Sequence, residues 1–171
     1  MSDLRLPHDR PLRVLFVCTG NICRSPTAEA VARRQFDEAG LAAQVEFDSA
    51  GMQGHHVGEA PDPRTRDAAA RRGYDLSPLR ARRLEQEDFH RFDLLLAMDR
   101  GHLMQMQRVC PEELHDRVDL FMTFAPDAVA AEVPDPYYGG ESGFELVLDL
   151  CEAAVAGLRE RLMEAVARRG V

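Results

Sequence analysis

The sequence predicts a three-layer α/β domain, a doubly wound parallel sheet with helices on both faces, and two patterns carry that prediction. Short apolar runs rich in β-branched residues alternate with longer stretches of helical periodicity. The first run, residues 12–17, passes through a tight glycine-containing loop straight into Ser25-Pro26, a pair suited to a helix start. With 171 residues, 45% hydrophobic and 6% aromatic, the chain can bury one sizeable core as a single domain.

Residues 1–11 are polar, carry two prolines and are expected to form a flexible N-terminal extension, leaving 12–171 as the domain. Strand one, 12–17, has the continuous apolar character of a strand buried on both faces. Gly20 and Asn21 tolerate left-handed backbone, and the next helix runs over 26–39 with Ser25 as N-cap, Ala30, Val31, Ala32 and Phe36 inward, and Gly40 as its stop. Strand two is 44–48, and a loop over 52–63 follows with the pair His55-His56. Helices over 64–72 and 85–91 precede strand three at 92–97. A helix at 100–107 with methionines on its core face leads to strand four at 117–122. A loop with three prolines spans 125–138, and the final helix, 141–168, aligns Leu146, Leu150, Ala154 and Leu158 along one stripe.

Composition excludes several functions. A formal net charge of -8 argues against nonspecific binding to nucleic acid or to an anionic membrane. All 21 Lys+Arg cations are arginine, so there is no lysine for a Walker-type nucleotide site or a Schiff base. The four cysteines, 18, 23, 110 and 151, lack C-x-x-C spacing, and no histidines fall at zinc-finger intervals. Neither a metal nor another cofactor is expected, and the thiols should be reduced. Residues 1–11 lack an apolar signal core and no run is long enough to span a bilayer, which points to a cytoplasmic protein, expected to be monomeric.

The chemistry concentrates at the carboxyl end of strand one. If the loop curls around one anion, the backbone N–H groups of Thr19, Gly20, Asn21, Ile22, Cys23 and Arg24 can turn inward, and the following helix adds roughly half a positive charge. Cys18 then lies beneath the anion and Arg24 beside it. A sulfur so placed can attack a phosphoryl group in line, while a planar guanidinium can hold two equatorial oxygens. Helix terminus, cation and the Ser25 hydroxyl should together favour the thiolate.

The stretch C-T-G-N-I-C-R-S-P resembles the signature loop of the low-molecular-weight protein tyrosine phosphatases. Further similarities follow in the family's order: Asp48-Ser49-Ala50-Gly51 resembles its second strand and turn, L-L-L-A-M-D ending at Asp99 its third strand, and Asp135-Pro136-Tyr137-Tyr138-Gly139-Gly140 with Gly143-Phe144-Glu145 its acid loop and last helix start. The resemblance implies the strand order 2-1-3-4. It also implies hydrolysis of tyrosine-phosphorylated proteins or small aryl phosphates through a cysteinyl-phosphate intermediate.

An aryl-oxide leaving group needs a proton donor distant in sequence and close in space. Pro-Asp-Pro occurs twice, at Asp62 and Asp135, and local pattern does not choose between them. The resemblance nominates Asp135, since only there does Tyr-Tyr-Gly-Gly follow, with Tyr137 and Tyr138 expected to flank an aromatic substrate. It further implies that His55 stands where the family usually carries an aromatic wall, the alternative being that His55-His56 is a solvated surface pair, and that Glu29, Asp48, Ser49 and Asp99 support the loop from behind. Where the family often has a histidine bracing the loop asparagine, this chain has Leu79; either Arg80 or Arg82 replaces it, or the support is looser. Ile22 should face the substrate ring, in contrast to the threonine of relatives resembling phosphoarginine phosphatases. Cys23, in the same cradle, is expected to act as a redox partner that captures oxidised Cys18, the alternative being that it only packs beneath the loop.

Two rivals use similar parts. An arsenate reductase also has a C-x5-R loop but needs resolving cysteines on a flexible segment, whereas Cys110 and Cys151 are separated by a strand and a long loop. A noncatalytic phosphopeptide-binding module would not need nucleophile, arginine and acid together.

Overall fold

The computed structural model describes residues 4–137 and 139–170. Four parallel strands form one sheet in the order β2-β1-β3-β4, where β1 is Leu12–Cys18, β2 Val45–Gly51, β3 Leu94–Ala97 and β4 Val118–Leu120. Parallel neighbours require crossovers, and helices supply them. α1 (Arg24–Glu38) joins β1 to β2, α2 (Pro63–Arg71) and α3 (Gln86–Arg91) join β2 to β3, α4 (Arg100–Val109) joins β3 to β4, and α5 (Glu141–Arg169) follows β4. The layers are those expected from the sequence pattern, and the strand order is the one that the family resemblance implies.

Successive side chains of β1 point to opposite faces and feed two cores. Val14, Phe16 and Cys18 join the core under α1 and α5, where Phe16 stacks on Phe47 at 5.8 Å and meets Phe121 edge-on at 5.1 Å. Leu15 and Val17 join a smaller core with Phe89 of α3 and Met106 of α4. β1 is thus central and dry on both faces. Its carboxyl end delivers Cys18 to the edge of the layers, beside the ends of β2 and β3.

Several boundaries differ from the sequence expectation for identifiable reasons. β2 runs three residues further, because Ser49, Ala50 and Gly51 stay in register with Phe16, Val17 and Cys18. β4 is shorter, since the chain enters a 3-10 turn at Phe121–Phe124 that buries Phe121 and Met122. α4 does not present a methionine face: Met106 is buried next to His102, while Met104 is 54% exposed. Residues 4–11 lie against the domain, with Leu4 in the core and the Arg10 guanidinium donating to both Asp93 oxygens at 2.8 and 2.9 Å. Among the described residues no helix is long and apolar enough to cross a membrane.

Candidate active site

The loop from Cys18 to Arg24 is anchored from below by the end of β2. Met52 N–H donates to Cys18 O and Gln53 N–H to Thr19 O, both at 2.9 Å. Gly51 lies directly under the loop, where a Cβ would stand 2.8 Å from Thr19 O and 3.0 Å from Asn21 N, so only glycine fits. Asn21 takes the left-handed conformation, with φ 60. Gly20, expected to do the same, does not. Its missing side chain instead makes room for His56, whose Cδ2 would be 3.0 Å from a Cβ.

Ser25 is not the N-cap. α1 begins at Arg24, one residue earlier, and the Ser25 hydroxyl is used by the loop, 2.9 Å from Cys18 Sγ. Its proton direction follows from the neighbours. Arg82 N–H donates to Asn21 Oδ1 at 2.9 Å, so Asn21 Nδ2 must face the other way, donating to Ser25 Oγ at 2.8 Å and to Ser49 Oγ at 3.0 Å. Each hydroxyl, having accepted from Asn21, keeps its own proton to give. Ser49 gives it to Glu29 Oε1 at 2.6 Å, and Ser25 can give it to the Cys18 sulfur. Burial raises the Glu29 pKa, an effect opposed by the Ser49 bond and the ion pair to Arg33 at 2.7 Å.

Of the two arginines offered as a replacement for the missing histidine, Arg82 takes the place. Its guanidinium is clamped by Asp48 at 3.1 Å and by fully buried Asp88 at 3.0 and 3.2 Å. Asp88 also accepts the Glu85 N–H at 2.8 Å, capping α3, a role the sequence reading did not assign. Arg80 turns away to the carbonyls of Ser77 and Leu79. The peptide of Arg82 to Leu84 brackets Gly51 as well, with Gly51 N–H donating to Arg82 O and Leu84 N–H to Gly51 O.

Arg24 is buried and held on its outer side. Nη1 donates to Asp99 Oδ2 at 2.9 Å and to Val133 O at 3.1 Å; Nη2 donates to Thr19 Oγ1 at 3.2 Å and stands 3.8 Å from Asp135 Oδ2. Burial alone would raise the Asp99 pKa, but the His102 backbone N–H bond, together with the bond and charge of Arg24, holds it below the usual carboxylate range. His102, whose Nε2 lies 2.7 Å from Thr19 Oγ1, belongs to this site and was not foreseen. Cys23 is buried beside α2, and burial pushes its thiol up to about 12, so at neutral pH it is protonated.

One cavity of about 260 Å³ is lined by the loop residues Cys18, Thr19, Gly20, Ile22, Cys23 and Arg24 together with Gln53, His55, His56, Asp135 and Tyr137, whereas Asn21 and Ser25 support the loop from behind without lining it. A larger open groove, about 1100 Å³, runs along the β2 edge near Arg33 and Tyr74 and contains none of them. Of the two Pro-Asp-Pro aspartates, Asp62 is turned away to cap α2, accepting Arg64 N–H at 2.8 Å and pairing with its guanidinium. Asp135 is the one at the cavity, with Oδ1 accepting Tyr137 N–H at 3.0 Å. Tyr137 is 37% exposed and steadied by Arg64, whose guanidinium carbon lies 5.2 Å over its ring. His55 is exposed on the rim, whereas His56 packs over Gly20 and bonds Glu59 at 2.6 Å. Tyr138 lies outside the described residues.

Comparison with known proteins agrees with this geometry. The family described as low molecular weight phosphotyrosine protein phosphatase matches residues 13–168. A Streptomyces coelicolor low molecular weight protein-tyrosine-phosphatase is 50% identical over 161 residues, covering 92% of this chain and 97% of that protein. The human low molecular weight phosphotyrosine protein phosphatase is 37% identical over 140 residues, 81% of this chain and 87% of its own. Among solved structures, the Entamoeba histolytica protein tyrosine phosphatase with Hepes in its active site superposes with a TM-score of 0.87 at 38% identity, covering 91% and 99% of the two chains. A sulfur, a clamped arginine and a carboxylate around one loop, in a fold and a sequence shared over nearly the whole length, place this chain in the low molecular weight phosphotyrosine protein phosphatase family.

Proposed function

We propose that the chain hydrolyses aryl phosphate monoesters, tyrosine-phosphorylated proteins among them, in two steps through Cys18. The observation that carries this reading is the convergence of Cys18, Arg24 and Asp135 on one cavity of about 260 Å³. In the first step the Cys18 sulfur attacks phosphorus, the P–O bond to the aryl group breaks, and Asp135 gives its proton to the departing oxygen. In the second step Asp135, now a base, takes a proton from a water that attacks the cysteinyl phosphate; the P–S bond breaks and inorganic phosphate leaves. Arg24 and the loop N–H groups hold the equatorial oxygens in both steps. The test is turnover of p-nitrophenyl phosphate, which Cys18→Ser should abolish. Comparable turnover in that variant would overturn the reading.

The walls support a preference for aromatic substrates. Ile22 and Tyr137 both line the cavity, and a ring filling that space gains contacts that a serine or arginine phosphoester lacks. Phosphotyrosine peptides are expected to exceed phosphoserine and phosphoarginine peptides in kcat/KM by about tenfold or more. Equal efficiency on phosphoarginine would reject the role given to Ile22.

A reversible oxidation response also follows. Peroxide converts a Cys18 thiolate to sulfenic acid, and Cys23 would displace water from it to form a disulfide that dithiothreitol reduces. Because burial keeps Cys23 protonated, its pKa being about 12, capture requires a base or a local opening of the loop. Cys23→Ser is expected to lose recovery after peroxide; full recovery would remove Cys23 from this role. Four free cysteines accord with a reducing compartment, and we place the protein in the cytoplasm on that ground.

A further inference from the structure

We propose that His102 is a positioning residue for Arg24, acting through the Thr19 hydroxyl as a neutral hydrogen-bond acceptor. The proposal rests on Arg24 being the phosphate-holding group assigned above. His102 lies in the first turn of α4 and is 5% exposed. Its backbone N–H donates to Asp99 Oδ1 at 2.9 Å, which fixes where the ring enters the site. Ring Nε2 stands 2.7 Å from Thr19 Oγ1, and the same oxygen accepts Arg24 Nη2 at 3.2 Å.

A hydroxyl has one proton and two lone pairs, and an arginine can only donate. With one Thr19 lone pair taken by Arg24, the hydroxyl proton is free for His102, provided that Nε2 carries none. The ring proton then sits on Nδ1, 3.0 Å from Asp99 Oδ1 but too poorly aligned for a hydrogen bond. Asp99 closes the circuit by accepting Arg24 Nη1 through its other oxygen at 2.9 Å. The guanidinium is therefore steered from two directions, by Asp99 directly and by His102 through Thr19. A buried ring nitrogen without a partner is a cost that leucine or methionine at this place would not incur. A protonated imidazole would turn a donor toward Thr19 and set a second cation beside Arg24. Burial first, and then the Arg24 charge, lower the His102 pKa to about 4 against the opposing pull of Asp99, Asp135 and Glu132, so the acceptor form is present at neutral pH.

The test is a double-mutant cycle with His102→Leu, Thr19→Val and the pair, reading kcat and KM for p-nitrophenyl phosphate and, by calorimetry, the affinity for inorganic phosphate. Each single change is expected to lower kcat and phosphate affinity about tenfold, and the pair no further than either, because both break the same link. His102→Gln, which can place an oxygen acceptor near Nε2, should recover most of the loss. The proposal is overturned if His102→Leu keeps wild-type kcat and phosphate affinity, or if the two losses multiply. Should His102→Leu not fold, His102→Gln against Thr19→Val decides, since a Gln variant as impaired as Val shows that the acceptor is not what matters. The calorimetric arm needs no turnover, so a chain without phosphatase activity would refute the functional reading and still test His102.

Discussion

Arg24→Lys is expected to lower kcat on aryl phosphates by about 10²–10³-fold while leaving the fold intact. The charge survives the change, but the geometry does not. Arg24 spreads its donors over a plane, giving Nη1 to Asp99 and Val133 O and Nη2 to Thr19. Those bonds do not use Nε–H and the second Nη2–H, and these two donors form a fork that matches two oxygens of a trigonal-bipyramidal phosphorane. A lysine ammonium is a single point with rotatable donors, and it cannot serve Asp99 and two phosphoryl oxygens at once. Steady-state kinetics beside a thermal melt would separate the catalytic loss from unfolding. Turnover near the wild-type rate would show that charge alone is needed and that the fork has no role.

Asp135→Ala is expected to produce a loss that depends on the leaving group: about 10²–10⁴-fold for phenyl phosphate and phosphotyrosine, and far less for aryl phosphates whose leaving groups depart without a proton. A plot of log kcat/KM against leaving-group pKa should be steep in the variant and shallow in the wild type. Asp62→Ala gives the contrast. It removes the bond to Arg64 N–H at 2.8 Å and is expected to cost about 1 kcal/mol of stability as a lost helix cap, with the leaving-group slope unchanged. A uniform loss across the series in Asp135→Ala would mark that residue as structural.

The local parts of this design are legible in the chain. A strand buried on both faces, a short loop and a helix start are written in adjacent residues, so Cys18 and Arg24 could be found from composition and spacing. Local pattern could not pick the acid, since Asp62 and Asp135 share the same flanking prolines, and Asp135 is nominated only by the Tyr-Tyr-Gly-Gly continuation that the family resemblance supplies. What separates them is a guanidinium two residues downstream of Asp62 and the fold that carries Asp135 to the cavity. Ser25 shows the converse error. Ser-Pro has the local chemistry of a cap, but tertiary partners, the Cys18 sulfur and the Asn21 amide, claim the hydroxyl. Arg80 and Arg82 differ by two residues in a segment without regular structure, and only the placement of Asp48 and Asp88 selects between them. His102 left almost no signal. It comes beside Thr19 because β3 pairs with β1 and α4 leaves β3 at that end, and the only local hint is Asp99 three residues earlier, at the capping position.

Asp88 has a consequence for motion. One carboxylate caps α3 and also clamps Arg82, whose peptide N–H orients Asn21 and whose carbonyl receives Gly51. Fraying of α3 therefore removes the clamp from the strap over Gly51, and displacement of the strap removes the cap from α3. The two should belong to one cooperative unit of opening, although α3 lines no part of the cavity. In native-state hydrogen exchange, the amides of Arg82, Leu84 and the α3 turn should share one opening free energy. Asp88→Asn should lower it for all of them together, so that a helix behind the sheet sets how long the phosphate loop stays assembled.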